Sequence, residues 1–248
     1  MSFYLLILAH VLADFPFQFK SILQDKCSGR LKGYLWHMLI HFTFMLILTF
    51  PYIFSLRAIL PLIIITLSHG MLDFIKNSLK KLVLPSTELF LFLFDQFIHI
   101  ILIFFIWDLA SFFSKPYILP YSSRLQTLFS LYGFHIVTGL IVYTYVIFGG
   151  SVLVRKVLDL PSIGLPLDDN NQRAAGRYIG MVERALLVTL VWADSLGSVA
   201  FVLAAKSIAR YKDLEDKAFA EYYLVGTLTS SLVGVVGGLI LRSLSQLR

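Results

Sequence analysis

Cysteine is all but missing from this chain: Cys27 stands alone. A single thiol excludes an intramolecular disulfide and a thiolate cluster for metal. The first apolar segment lacks a basic start and a small-residue cleavage site, and it carries His10 and Asp14. It reads as a retained helix rather than a signal peptide. Charge is sparse as well, at 15% of 248 residues against 58% hydrophobic residues. With a mean hydropathy of +0.79, the chain is too apolar for a soluble domain of ordinary surface-to-volume ratio.

What is present is a series of apolar runs, at about 2–15, 34–56, 58–75, 88–113, 133–154, 177–208 and 219–241. Most approach or exceed the length that crosses a bilayer core. Helices are the only economical way to satisfy backbone groups there without closing a barrel. The expected fold is therefore all-α, a polytopic integral membrane bundle of about seven hydrophobic segments. The net charge of +6 resides mainly in short inter-helix loops. That placement argues for topology and contact with membrane lipid and against a nucleic-acid partner. Lys20, Lys26, Arg30 and Lys32 follow the first segment, Lys76, Lys80 and Lys81 the third, and Arg155 and Lys156 the fifth. The alternate loops hold only Arg57, then Lys115 and Arg124. The positive-inside bias thus predicts an N-terminus outside and the basic loops in the cytosol.

Segment 177–208 is long, and Asp194-Ser195-Leu196-Gly197-Ser198 interrupts it with turn formers. A re-entrant or tight helical hairpin with its tip near Asp194 would return Lys206, Arg210, Lys212 and Lys217 to the cytosolic side. A four-helix half over 1–113, a connecting loop over 114–132 and a C-terminal half over 133–248 are expected. The second half contains a polar cytosolic loop at 159–175.

Each of the first four helices carries a pair of ionisable residues spaced i, i+4: His10 and Asp14, His37 and His41, His69 and Asp73, Asp95 and His99. That spacing puts both members on one helical face. The pairs use five of the six histidines. Ionisable groups inside a bilayer face a bundle interior or cavity as a rule. In the inward-running helices the histidine precedes the aspartate, and in the outward-running fourth the order reverses. The aspartates of these three helices therefore share one level nearer the cytosol, with histidines one turn deeper. His10-x-x-x-Asp14-Phe15 recurs as His69-x-x-x-Asp73-Phe74, each followed 23 or 22 positions later by the next pair, from Asp14 to His37 and from Asp73 to Asp95. Two like hairpins about a pseudo-twofold axis are implied.

Nitrogen and oxygen donors on facing helices are how bundles hold metals. Without thiolates, the set suits one or two divalent ions, with zinc the usual hydrolytic choice and iron or manganese as alternatives. All eight residues are candidate ligands, and an aspartate left out of the ligand set, Asp14, Asp73 or Asp95, would act as general base. The expected function is a metal-dependent hydrolase for a lipid-linked or amphipathic substrate near the cytosolic leaflet. Two other readings stay open: a cation or proton path through the same layer, and a non-catalytic scaffold with structural metal or purely structural polar packing. On the outer side of His69 only Ser68 and Thr66 precede an apolar run, and Tyr52 and Ser55 lie near the far end of the second helix. The outer half thus reads as sealed. Gln18 and Gln96 are candidate supporting donors, while His135 and Asp108 read as interfacial.

In the second half, Glu183, Arg184, Lys206, Arg210 and Glu221 gather at the predicted cytosolic face. They form either an anchoring salt-bridge network or a pocket for a lipid headgroup. Gly226, Gly234, Gly237 and Gly238 suit close helix packing, within the chain or in a homo-oligomer.

The motifs His10-x-x-x-Asp14-Phe15-x-x-Gln18, His37/His41, His69-x-x-x-Asp73 and Asp95-Gln96-x-x-His99 resemble the signature of a bacterial membrane family, the domain of unknown function 3307. Gly176 to Arg184, Ala204 to Arg210 and Glu221 to Thr227 resemble the version of that family with a second half. The resemblance implies a bacterial inner-membrane protein and no particular activity.

Overall fold

Side chains of Leu, Ile, Phe and Val dominate every long segment, and the backbone responds with helix throughout. The computed structural model describes residues 1–50, 56–80, 84–111, 123–160 and 170–246, among which there is no strand. Leu31–Thr49, Ile59–Lys80, Glu88–Asp108, Tyr132–Leu158 and Lys217–Gln246 are long and apolar enough to cross a membrane. The protein is an all-α membrane bundle, and among the described residues five helices of spanning length stand against about seven apolar segments. The difference has two sources. The first segment makes a helix of only 13 residues, about 20 Å long and short of the roughly 30 Å hydrocarbon core. The sixth segment is split in two.

The chain divides into two compact units, Met1–Ile141 and Val142–Arg248. The division falls inside a helix, downstream of the 114–132 segment. Residues 112–122 and 161–169, which hold Lys115 and the Asp168-Asp169 stretch, lie outside the described residues, as do Tyr52, Ser55 and Lys81.

The first unit contains α1 (Ser2–Asp14), α2 (Lys20–Cys27), α3 (Leu31–Thr49), α4 (Leu56–Lys80), α5 (Glu88–Ser111) and most of α6 (Ser123–Thr144). Leu6, Ala9, Met45, Leu62, Ile65 and Ile103 make its main core cluster. On another face of α1, Leu5 and Leu8 pack with Val137 of α6. The short α2 ends in a left-handed turn at Gly29 (φ 73°). There Gly29 N–H donates to Lys26 O and Arg30 N–H to Asp25 O, the paired bonds of a Schellman stop. The chain then doubles back so tightly that a Cβ on Gly33 would stand 2.7 Å from Asp25 Cβ and from Lys26 N. Glycine at 33 therefore lets α2 lie directly on α3, and this contact turns Lys26 inward.

In the second unit the helix continues through a π-turn at Tyr145–Gly149 into α7 (Gly150–Leu158), followed by α8 (Asn170–Trp192), α9 (Leu196–Ala209) and α10 (Lys217–Gln246). The chain reverses at Asp194, whose φ is 59°. Lys206 Nζ reaches Glu183 Oε2 at 2.5 Å across α8 and α9, so the two helices run antiparallel as a hairpin with its tip where the turn formers predict it. Arg242 of α10 grips Asp194 with bonds of 2.5 and 2.9 Å. Gly234, Gly237 and Gly238 are buried, and Gly234 faces Leu187 of α8 as Gly238 faces Val191. That small-residue face is thus used within the unit.

Candidate metal centre

Three layers cross α1, α3, α4 and α5, one helical turn apart. The first contains Asp14, His37, Asp73 and Asp95, and the second His10, His41, His69 and His99. The third is Leu6, Met45, Ile65 and Ile103, all in the main core cluster. Each helix contributes one residue to each layer at i, i±4 spacing, which keeps the three on one face. The second-layer histidines are at most 2% exposed.

The geometry converges on Asp14. Its Oδ1 lies 2.8 Å from His41 Nε2, 3.2 Å from His37 Nε2 and 3.5 Å from His69 Nε2. His37 Nε2 and His69 Nε2 are themselves 3.1 Å apart. The other carboxylate oxygen accepts from Gln96 Nε2 at 3.1 Å and faces His10 Nε2 at 3.7 Å. Electron-rich atoms at these separations need protons or a cation between them. His10 Nε2, His37 Nδ1, His69 Nδ1 and both ring nitrogens of His99 are buried without a hydrogen-bond partner. Each such group left unsatisfied costs about 1–3 kcal/mol.

Two groups have ligand atoms within 4.8 Å of one another: His10, Asp14, His41 and His69, and His37, His69 and Asp73. Six of the eight sequence-derived candidates are thereby brought together. His99 joins neither group, although its ring centroid lies 4.2 Å from that of His69 and 5.3 Å from that of His10. Asp95 is also outside both, with Oδ1 at 3.6 Å from His99 Nδ1 and Oδ2 accepting from Lys76 at 2.9 Å.

Two lysines that sequence reasoning assigned to topology belong to this site. Lys26, 3% exposed, donates to Asp73 Oδ2. Lys76 donates to Asp73 Oδ1 at 2.7 Å and bridges to Asp95. Tyr34 O–H donates to the Lys26 carbonyl at 3.2 Å, and Asn77 Nδ2 donates to the Tyr34 hydroxyl at 3.0 Å. Lys76 had a readable signal, because Asp73-x-x-Lys76 shares a helical face. Lys26 had none short of the turn and close approach at Gly29 and Gly33.

The donor chemistry fits a borderline divalent cation: imidazole nitrogens with one carboxylate, no thiolate, and a side-chain amide steadying the carboxylate. The first group fits better than the second, where Lys26 already sits on the Asp73 oxygen.

The remaining candidates lie elsewhere. His135 on α6 stacks edge-on against Phe134. In the second unit Arg184 is 2% exposed. It donates to the carbonyls of Val146 and Ile147, both at 2.9 Å, and to the hydroxyls of Ser230 and Ser151. The two carbonyls belong to the π-turn, so the guanidinium serves the backbone there. Arg210 pairs with Asp213 at 3.0 Å rather than with Glu183, and Glu221 is exposed on α10.

A family model described as a protein of unknown function, DUF3307, matches residues 2–126. No curated protein and no solved structure matches the chain. The matched span holds α1 to α5, every candidate ligand and the two lysines of the site, and on that half of its length the chain belongs to the DUF3307 family.

Proposed function

We propose that the first unit is the centre of a metal-dependent hydrolase in the bacterial inner membrane, acting on a lipid-linked or amphipathic substrate from the cytosolic leaflet. The observation that carries the reading is the gathering of His10, Asp14, His41 and His69, whose ligand atoms all lie within 4.8 Å of one another. His10, Asp14, His41 and His69 would hold the ion, with zinc favoured over iron and manganese. Such an ion supplies Lewis acidity and lowers the pKa of water.

Gln96 orients the Asp14 carboxylate by donating to its second oxygen. Asp95, outside both ligand groups, is the candidate base, and Lys76 beside it holds Asp95 and Asp73 at fixed separation. The basic segments that follow α1 and α4 support an orientation with the carboxylate layer toward the cytosol.

A proton or cation path is the competing reading. It needs polar groups continuing past the rings, whereas Leu6, Met45, Ile65 and Ile103 follow the histidine layer. That layer favours a site open from the lysine side only.

The test is elemental analysis of the purified protein beside His41→Ala and Asp14→Ala, followed by a hydrolysis screen against amphipathic phosphoesters and amides. The expected result is about one equivalent of zinc, iron or manganese per chain, lost in both variants along with hydrolysis. A native protein that takes up no metal on reconstitution overturns the reading. Metal without hydrolysis across the screen would favour the structural-metal scaffold.

A further inference from the structure

The hairpin of the second unit encloses a site that the metal reading leaves untouched. Between α8 and α9 lies an open groove of about 400 Å³, walled by Tyr178, Val182, Leu186 and Val202, with Glu183 and Lys206 set among them. From Tyr178 to Leu186 the wall extends about 12 Å along α8. Tyr178 and Val182 are 68% and 62% exposed, so in a bilayer the wall faces lipid.

The two charged residues are unequally satisfied. Glu183 is 4% exposed; Oε2 accepts from Lys206 at 2.5 Å, while Oε1 is buried without a partner. A buried carboxylate oxygen with no donor is costly. Lys206 Nζ has two further hydrogens and stands 5.5 Å from the Tyr223 ring centre. It lies one turn before the end of α9, where the polar turn Tyr211–Glu215 begins. That is headgroup depth at one end of the groove, with apolar wall running inward from it.

We propose that this groove binds one zwitterionic phospholipid with a primary ammonium, of the phosphatidylethanolamine class. The ammonium donates to Glu183 Oε1, which comes within reach as Lys206 turns toward the phosphodiester. The phosphodiester accepts from Lys206, and an acyl chain lies along Tyr178, Val182 and Leu186. The charge pattern selects the headgroup. A purely anionic lipid satisfies Lys206 but is repelled by Glu183. A choline headgroup carries the right charges, yet its quaternary nitrogen has no hydrogen to donate to Oε1. A headgroup with both a cationic N–H donor and a phosphate acceptor completes the pair with its charges matched.

The test is native mass spectrometry of the full chain released from nanodiscs of equal ethanolamine, choline and glycerol phospholipids. Wild type is expected to retain about one ethanolamine lipid in preference to the others, by roughly tenfold for one charge-assisted hydrogen bond. Glu183→Gln should erase the preference, whereas Lys206→Met, which removes the phosphodiester's donor, should lower retention of all three lipids. Val202→Trp fills the groove while keeping both charged residues and should abolish retention while circular dichroism and thermal unfolding stay native. Equal retention of choline lipid, preference for the glycerol lipid, or a groove covered by a second copy of the chain would each overturn the proposal. So would retention undiminished in a folded Val202→Trp protein.

Discussion

Lys26 donates to Asp73 Oδ2, the same oxygen that faces His37 Nε2 at 3.4 Å and His69 Nε2 at 3.7 Å. A divalent ion at the His37, His69 and Asp73 group would therefore compete with a tethered ammonium for one carboxylate oxygen. Lys26→Met keeps much of the stem and removes the competing charge. Zinc affinity at the His37, His69 and Asp73 group is expected to rise about tenfold or more, since a charged hydrogen bond no longer has to be broken. Calorimetric titration of the variant against wild type reads this directly. Identical isotherms would mean that metal and Lys26 never meet.

Gly33 offers the same lever from a distance. A methyl at 33 meets the backbone nitrogen of Lys26 and the Cβ of Asp25, both 2.7 Å away, and neither can rotate aside. Gly33→Ala should lift α2 from α3, destabilise the protein by about 1–3 kcal/mol, and move zinc affinity in the same direction as Lys26→Met. A fall in melting temperature with unchanged affinity would separate the seat of α2 from the burial of Lys26.

These two residues also mark where the sequence stops being legible. The four i, i+4 pairs could be read because helical periodicity alone puts each pair on one face, and an ionisable group in an apolar run is conspicuous. The hairpin tip at Asp194 was readable for a similar reason, as a run of turn formers inside an overlong segment. Lys26 was not readable, because its place depends on a reversal at Gly29 and on how closely α2 meets α3. A lysine in a basic stretch after an apolar segment looks like a topology signal, and its burial adds information that charge counting cannot supply. Arg184 is a parallel case. Its partners are carbonyls freed by the π-turn at Tyr145–Gly149, and nothing in the local sequence announces the extra residue that makes such a turn.

Arg184 yields a stability prediction. With Arg184→Met, the carbonyls of Val146 and Ile147 lose donors at 2.9 Å, in surroundings where water cannot readily replace them. A loss of about 2–5 kcal/mol is expected, read as a lower unfolding temperature in detergent. Metal content should stay at the wild-type value, because every candidate ligand lies in the first unit. Loss of metal in a folded Arg184→Met protein would contradict that assignment.

The small-residue face of α10 can be separated from helix propensity. A Cβ on Gly238 would stand 2.5 Å from Val191 Cβ, whereas one on Gly197 would meet nothing within 4 Å. Gly238→Ala should destabilise by about 1–3 kcal/mol through overpacking. Gly197→Ala should be neutral or stabilise by up to about 1 kcal/mol, as alanine favours helix. Thermal unfolding of the two variants side by side checks the pair. Equal effects would mean that α8 and α10 do not meet through Gly238.

The apolar layer beyond the histidines bears on the choice between a closed centre and a path. Met45 is 1% exposed and Ile65 2%, each one turn past a ring of the histidine layer. A transit route through His41 and His69 would have to pass these side chains. Liposomes holding the wild-type protein are therefore expected to show no protein-dependent flux of protons or zinc. Met45→Ser with Ile65→Ser puts two hydroxyls and new space where the layer closes, and should admit water and raise proton leak. The same double variant should lose several kcal/mol of stability from the removed packing, about 2–5 for each large-to-small change, so flux is compared at matched folded fraction. Proton or zinc flux through the wild-type protein would reverse the reading: the layer would then be a gate, and the His–Asp cluster a station along the route.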